Sequence, residues 1–277
     1  MKVLLLLSSF LLAFCQTANS ETLLRWKVED NESIKYKTTM LPIKIDQRFA
    51  LNGFDVLNNE QLQQQIKTDL NSFLTPEDSL ITTLTKNKMS KGFRVRTTRL
   101  SSEDTNRQPE STSQVLNDWA GPIELLGDLD DRGNVESFYL SQKQRNILVQ
   151  MFSIPLAKVK TGDSWTLPTN LIEIGHNFVP TLAQRKTKVT FDSKEYNKNG
   201  DLIAKLFYVM AESVNGQFED PYSDKIYPSK FQYTYLAYAD FNVSKGRWEK
   251  HTGVSYILID NEKKINEHMI VYALNKF

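Results

Sequence analysis

Cysteine is nearly absent from this sequence, since the 277 residues include a single one, Cys15. It lies in an N-terminal stretch that begins with Lys2, continues with an apolar run from Val3 to Phe14 and ends in Ala18-Asn19-Ser20. This is the pattern of a cleaved signal peptide, so we expect a signal peptide at 1–20 and a mature chain that begins at Glu21. Without cysteine the mature chain has no disulfides, but a chain of about 250 residues buries roughly 70–75% of its unfolded surface in its own core.

Cys15 leaves a second possibility, which is lipid attachment at a bacterial lipoprotein cysteine. That signal has a small residue directly before the cysteine, whereas Phe14 is large. We therefore expect export to the periplasm or the extracellular space, with signal cleavage near Ser20. A lipoprotein anchored through Cys15 is the alternative.

An excess of basic residues and a second long apolar run are also missing. Removal of residues 1–20 takes away one lysine and leaves 33 basic and 33 acidic residues, so the formal net charge is zero. A near-neutral chain without a dense run of Lys and Arg has no electrostatic footprint for nucleic acid. A transmembrane helix needs about 20 consecutive apolar residues. We therefore predict no nucleic-acid partner and no transmembrane helix in the mature chain.

The sequence has few histidines, and they do not show metal-binding spacing. His176, His251 and His268 are far apart, and neither His-x-His nor His-Glu-x-x-His occurs. His251 and His268 fall on strands that are predicted to be neighbours, so the fold could bring them together. A surface or half-buried histidine is the more common outcome.

The stretch GDLDDRGNV, which spans 127–135, resembles a calcium-binding loop. Counted from Asp128, such a loop needs oxygen ligands at its fifth and twelfth positions, and these are Arg132 and Tyr139. Gly133 and the residues before it instead suit a tight turn between two strands. We therefore predict a turn here, and neither a metal site nor a cofactor in the protein.

Most of the mature chain predicts short strands separated by turns. The expected fold class is mainly β, with antiparallel hairpins and meanders that form a sandwich, half-barrel or barrel and with one or two short helices. The turns NKNGD, NVSKGR and DNEKK suit hairpins between the later strands. The predicted strands are 23–28, 33–40, 80–85, 93–100, 123–129, 135–140, 157–160, 181–191, 202–211, 231–241, 248–259 and 265–275.

Two segments have helical rather than strand periodicity. Residues 58–74 repeat apolar side chains at helical spacing, with Asn58 or Asn59 as the cap, and Pro76 follows. Residues 141–152 have a similar apolar side. The segment 101–113 contains no apolar residue and is predicted to be a solvated loop or linker.

The stretches KVEDNESI, from Lys27, and KVKTGDSW, from Lys158, resemble each other. Each is followed by predicted hairpins. We infer a possible duplication, with an N-terminal β module at 21–140 that contains the helix near 58–74, a helical connector at 141–154 and a C-terminal β module at 155–277. Chance similarity between two hairpins is the alternative.

Ser164 lies in Gly162-Asp163-Ser164-Trp165, which resembles the nucleophile stretch of the GDSL hydrolases. Those enzymes carry it near the mature N-terminus and add a late Asp-x-x-His, whereas here the residue three before His268 is Ile265. A serine without a positioned base is a weak nucleophile. The stretch therefore favours a structural turn, and no catalytic residue is assigned.

Aromatic residues are concentrated between 218 and 241. Along the predicted strand, Phe231, Tyr233 and Tyr235 alternate onto one face, followed by Ala237, Ala239 and Phe241, and Trp248 lies on the next strand. Such rings can line a concave site for an apolar ligand or stack on sugars. They can equally form the core of the sheet. Phe231, Tyr233, Tyr235 and Trp248 are the candidate ligand-binding residues.

The stretches PLAKVKTGDSWT at 155–166 and FNVSKGRW at 241–248, with the predicted hairpin around 199–201 between them, resemble a family of exported bacterial proteins of unknown function. The resemblance implies a β-rich envelope protein, and it brings no catalytic residues with it. We expect a non-enzymatic binding or structural protein, with glycan or lipid as the ligand classes. The alternative is a hydrolase that uses Ser164 or an unidentified carboxylate pair.

Overall fold

The structure is a computed structural model, and several short segments separate the parts that it describes. The predicted signal peptide up to residue 19, the segment 101–113 and His176 lie outside the described residues. The described residues are 20–77, 80–88, 91–99, 123–139, 141–172, 177–220, 225–261 and 264–277.

Eleven strands of the described residues form one antiparallel sheet in the order β5-β4-β3-β2-β1-β11-β10-β9-β8-β7-β6. The sheet is not closed into a barrel, and β5 and β6 are its edges. The prediction of a mainly β fold is therefore confirmed. The strands are β1 Ser33–Ile43, β2 Leu80–Lys86, β3 Phe93–Arg99, β4 Ile123–Leu129, β5 Val135–Phe138, β6 Ser164–Trp165, β7 Phe178–Tyr196, β8 Leu202–Glu219, β9 Ile226–Asn242, β10 Arg247–Asn261 and β11 Lys264–Lys276.

Strand β1 joins the N-terminal and C-terminal halves of the chain. It pairs with β2 on one side and with β11, the last strand, on the other. The predicted connector at 141–154 contains a helix, and the sheet runs through both predicted modules. A duplicated β module stays a prediction.

The two similar sequence stretches adopt the same turn. Asn31 and Gly162 occupy the same position and both have positive φ, 63° and 91°. The carboxylates of Glu32 and Asp163 each accept a hydrogen bond from the backbone N–H three residues earlier, at 3.0 and 2.7 Å. Each turn leads directly into a strand, β1 or β6. The sequence similarity therefore encodes one local turn used twice.

Three helices occur among the described residues. They are α1 Gly53–Asn58, α2 Glu60–Ser72 and α3 Gln142–Phe152. The side chain of Asn52 accepts a hydrogen bond from Phe54 N at the start of α1, and that of Asn59 accepts one from Leu62 N at the start of α2. These caps satisfy backbone donors that a helix start leaves free.

The prediction of helices at 58–74 and 141–152 is confirmed in its main parts. Helix α2 occupies most of the first segment, and Asn59 is the cap, as one of the two predicted alternatives. Sequence periodicity did not predict α1, because a helix of six residues is too short to show a repeating pattern.

The prediction of a strand at 23–28 is wrong. This segment is extended, and Leu24, Trp26 and Val28 are buried. Its backbone N–H groups donate hydrogen bonds to loop residues and not to a neighbouring strand. Trp26 N donates to Asp131 O and Lys27 N donates to Gly246 O, both at 2.9 Å. The strand predicted at 157–160 is reduced to one bridge between Val159 and Thr22.

The sheet buries apolar residues on both faces. The face covered by α1 and α2 packs Val56, Leu57, Ile66 and Leu70 against β8 to β11. The other face, here called the α3 face, packs α3 and the segment around Trp26 against the whole sheet. The α3 face holds the aromatic residues that the sequence singled out.

Candidate functional site

A cavity of about 300 Å³ lies between α3 and the α3 face of the sheet. The neighbouring segment 171–172 closes one side. Side chains of β9, β10 and β11 form its floor, because alternate residues of each strand point to the same face. Its apolar floor and helix side consist mainly of Ile147, Phe231, Ile257, Ile259 and Ile270.

The floor of the cavity follows the register of the strands. Phe231 is paired with Ile259, and Tyr233 with Ile257, between β9 and β10. Ile270 and Tyr272 of β11 continue the floor on the other side. The predicted alternation of β9 therefore places Phe231 and Tyr233 at the cavity.

Polar groups enter the cavity mainly from α3. Lys143 is exposed on the helix, whereas Asn146 and Gln150 are buried. Gln150 Nε2 donates a hydrogen bond of 3.3 Å to the hydroxyl of Tyr233. Burial raises the pKa of Tyr233, and hydrogen bonds with Gln150 and Ser255 offset part of this effect. The Tyr233 hydroxyl is thus a neutral group at the boundary between floor and helix.

A buried carboxylate, that of Glu212, holds in place the segment that closes one side of the cavity. Glu212 of β8 is buried and accepts hydrogen bonds from Leu171 N at 2.7 Å and from Arg185 Nη2 at 2.7 Å. Arg185 also donates to the side chain of Asn170 at 2.6 Å. A buried charge is tolerated when it is paired and hydrogen-bonded. The Glu212–Arg185 pair therefore fixes the segment 170–172 against the sheet.

Of the four candidate ligand-binding residues, Tyr235 lies behind the residues that line the cavity and Trp248 lies away from the cavity. Tyr235 is fully buried, and its ring centroid is 6.1 Å from that of Tyr272, which lines the cavity. Trp248 is also fully buried but lies in an aromatic cluster with Trp26 and Phe241, and it does not line the cavity. The structure thus brings Phe231, Tyr233 and Tyr235 into one region and leaves Trp248 in the core.

Ser164 lies at the edge of the sheet, in the two-residue strand β6. It is exposed and paired with Thr190 of β7. Its neighbour Asp163 closes the turn through Lys160 N. Within the described parts of the chain, no hydrogen bond links the Ser164 hydroxyl to a histidine or a carboxylate.

The stretch that resembles a calcium loop is a turn between β4 and β5. Asp130 accepts hydrogen bonds from Arg132 N, Asn134 N and Asn134 Nδ2 at 2.7–2.9 Å. Gly133 has a φ of 75°, and a Cβ there would lie 1.9 Å from the carbonyl oxygen of Phe152. Asp128 is paired with Arg94 at 2.8 Å. The carboxylates of Asp128 and Asp130 are therefore used to hold the hairpin.

The fold separates the two histidines of the last strands. His251 pairs with Leu274, whereas His268 pairs with Ile257, six residues further along β10. His251 is fully buried and His268 is exposed. Across the described part of the chain, no three His, Cys, Asp or Glu side chains are grouped as a metal site would require.

No protein-family model matches this chain, and no curated protein matches it either. The site is therefore defined by its geometry. Sequence reasoning missed the contributions of Asn146 and Gln150 from α3 and of Ile270 from β11. The alternation of Ile257 and Ile259 was visible in the sequence, but it does not reveal that α3 leaves a space above them.

Proposed function

We propose that this protein is an exported, non-enzymatic binding protein of the bacterial envelope, and that the cavity beneath α3 binds an amphiphilic ligand. The observation that carries the proposal is the cavity itself, an apolar floor with a few polar groups along one side. Its volume of about 300 Å³ is at the lower end of the ~300–1,000 Å³ of ligand sites. The signal-peptide pattern at 1–20 and the resemblance of the C-terminal half to exported envelope proteins support the location.

The lining favours a lipid-like ligand over a glycan. Five isoleucines, Ile147, Ile172, Ile257, Ile259 and Ile270, line the cavity, and these side chains offer no hydrogen bonds to sugar hydroxyls. An apolar chain that leaves water for this surface gains about 25 cal/mol for each Å² of apolar area buried. The ligand's apolar part would lie along these isoleucines and Phe231.

Among the described residues, no helix is long and apolar enough to cross a membrane.

The described structure offers more support for binding than for hydrolysis. Ser164, the leading nucleophile candidate, does not line the cavity, and its hydroxyl makes no hydrogen bond to a histidine or a carboxylate among the described residues. Phe231, Tyr233 and Tyr235 would contact the ligand, and Tyr235 would do so from behind the residues that line the cavity.

Titration calorimetry with amphiphiles of one chain length, below their critical micelle concentrations, tests the binding. We expect saturable binding of a ten-carbon amphiphile to the wild-type protein. Ile257→Trp fills the cavity and should weaken binding by tenfold or more. Ile265→Trp is the matched control, because Ile265 is exposed on β11 and away from the cavity. Binding only of glycans, or equal binding by both variants, would contradict the proposal.

Export is tested separately by N-terminal sequencing of the protein from bacterial envelope fractions. We expect the mature chain to begin at Glu21. A lipid-modified Cys15 at the N-terminus would instead establish the lipoprotein alternative. A full-length chain that remains in the cytoplasm would contradict export.

A further inference from the structure

Three tyrosines lie close together at one end of the cavity, over small residues of the sheet: Tyr272 lines the cavity, and Tyr208 and Tyr235 lie behind it. The β-pairing places Tyr208, Ala237, Gly253 and Tyr272 side by side across β8 to β11. Small residues thus separate the two tyrosines. Tyr235, from the neighbouring row, extends its ring into the space above Gly253, where an added Cβ would lie 2.3 Å from the Tyr235 hydroxyl.

The hydroxyl groups at this point are buried without protein partners. Tyr208 and Tyr235 are both fully buried, and neither hydroxyl has a hydrogen-bond partner among the described residues. A buried polar group in this state destabilises the folded protein, and native proteins contain few of them. Phenylalanine would fill the same space without this cost, so packing does not explain the hydroxyl groups.

A buried histidine lies beside them. His251 occupies the next row of the sheet, and its ring centroid is 5.7 Å from that of Tyr208. Neither of its ring nitrogens has a hydrogen-bond partner on another residue within the described structure. Burial lowers the pKa of His251 to about 3, so the imidazole is neutral at pH 7. Burial also raises the pKa of Tyr235, which keeps its hydroxyl protonated.

The polar groups adjoin the cavity through Tyr272, and Tyr208, Tyr235 and His251 lie behind the residues that line it. Tyr272 lines it and contacts Tyr235 in an edge-to-face geometry, with ring planes at 72°. Tyr235 is in turn paired with Ser255, the next residue of β10 on this face before Ile257 of the cavity floor. A ligand that lies along the isoleucines therefore meets Tyr272, and the ring of Tyr235 lies directly beside Tyr272.

We propose that Tyr208, Tyr235 and His251 form a neutral polar end of the binding site, and that the ligand carries a hydroxyl or carbonyl group that binds there. This inference rests on the proposed function of the cavity. This polar end of the binding site supplies hydrogen-bond donors and acceptors but no charge, and burial of an ionised group without a partner is costly. The favoured ligand class is therefore a neutral amphiphile with an uncharged hydrogen-bonding group, such as a long-chain alcohol, ester or amide.

The test compares three probes that share a ten-carbon chain: 1-decanol, decanoate and decyltrimethylammonium. We expect wild-type protein to bind 1-decanol most tightly. Tyr235→Phe and Tyr208→Phe should each weaken 1-decanol binding about tenfold, the equivalent of one lost hydrogen bond of about 1.4 kcal/mol. The same variants should raise the melting temperature of the ligand-free protein by roughly 2–4 °C, because they remove an unpartnered buried hydroxyl.

Tyr256→Phe is the control, because Tyr256 packs on the opposite face of the sheet and its hydroxyl is bonded to Glu267. This variant should leave 1-decanol binding unchanged. Unchanged binding by both Tyr208→Phe and Tyr235→Phe, while Ile257→Trp still weakens it by tenfold or more, would overturn the polar end and leave the cavity as a binding site. Tighter binding of decanoate than of 1-decanol would overturn the neutral ligand class. Absence of binding of all three probes to wild-type protein would overturn both proposals.

Discussion

Trp26 and Trp248 donate their indole N–H groups to adjacent carbonyls at the end of α3. Trp26 binds Phe152 O at 2.8 Å and Trp248 binds Met151 O at 2.7 Å. Their rings meet at 88° with centroids 5.6 Å apart. The last carbonyls of a helix have no partners within the helix, so these bonds satisfy groups that would otherwise be buried and unpaired. The pair fixes the C-terminal end of the helix that covers the cavity.

We expect Trp248→Phe to destabilise the protein by about 1–3 kcal/mol, because Met151 O would lose its buried donor. The free energy of unfolding in urea measures the effect. Trp165→Phe is a suitable control, since the indole N–H of half-buried Trp165 has no partner among the described residues. Equal stability losses in the two variants would show that the hydrogen bond to α3 is unimportant.

His251 should make the protein less stable in mild acid. Its pKa of about 3 in the folded state lies below the unfolded value of ~6.5, so protonation favours the unfolded chain. The stability that the neutral imidazole contributes is fully present above about pH 6.5 and is lost as the pH falls toward 3. Between pH 7.5 and 5.0 this single group accounts for about 2 kcal/mol.

Replacement of the imidazole checks this pH dependence. In urea unfolding at pH 7.5, 6.0 and 5.0, His251→Leu should reduce the decline in stability by about 2 kcal/mol relative to wild type. His268→Leu changes an exposed residue of β11 and should keep the wild-type decline. A His251→Leu profile that is parallel to wild type would refute a neutral, buried imidazole.

Asp130 should stabilise the β4–β5 hairpin without any contribution from calcium. Asp130→Ala removes three hydrogen bonds of the turn, and we expect a loss of about 1–2 kcal/mol because the site is exposed. Asp131→Ala, beside it, loses only a long contact of 3.9 Å to Arg132 and should cost little. Millimolar calcium should leave the wild-type melting temperature unchanged. A rise of several degrees that Asp130→Ala abolishes would establish a calcium site instead.

Ser164→Ala should have little effect on stability, because the side chain is exposed at the edge of the sheet. Asp163→Ala should be the more damaging change, since the Asp163 carboxylate holds the turn through Lys160 N. We also expect no esterase activity that depends on Ser164. An activity toward p-nitrophenyl esters that disappears in Ser164→Ala would revive the hydrolase.

The helices and strands were largely predictable from the sequence, but the pairing between strands was not. Residues Leu24, Trp26 and Val28 are buried and alternate with residues that are exposed or half-buried, and so mimic a strand. Their burial arises from packing over the α3 face, and periodicity detects burial rather than backbone pairing. The pairing of β1 with β11 connects residues more than 200 positions apart, which no local pattern encodes.

The candidate site was predictable in part for the same reason. Alternation along β9 placed Phe231, Tyr233 and Tyr235 on one face. The absence of a side chain at Gly253 determines where the Tyr235 ring lies, and this relationship depends on the pairing of β9 with β10. Asn146 and Gln150 occupy buried positions of a helix whose apolar neighbours suggested only core packing.

The most direct test of the account is an NMR titration of isoleucine δ1 methyl groups with 1-decanol. The binding site predicts saturable shifts, and contacts to decanol protons, for the five isoleucines that line the cavity, Ile147, Ile172, Ile257, Ile259 and Ile270. Ile43 and Ile66 pack on the opposite face of the sheet and provide the internal control. Shifts confined to the five cavity methyl groups would establish the site. No saturable shifts in those five methyl groups, or equal shifts at Ile43 and Ile66, would contradict the proposal that this cavity binds an amphiphile.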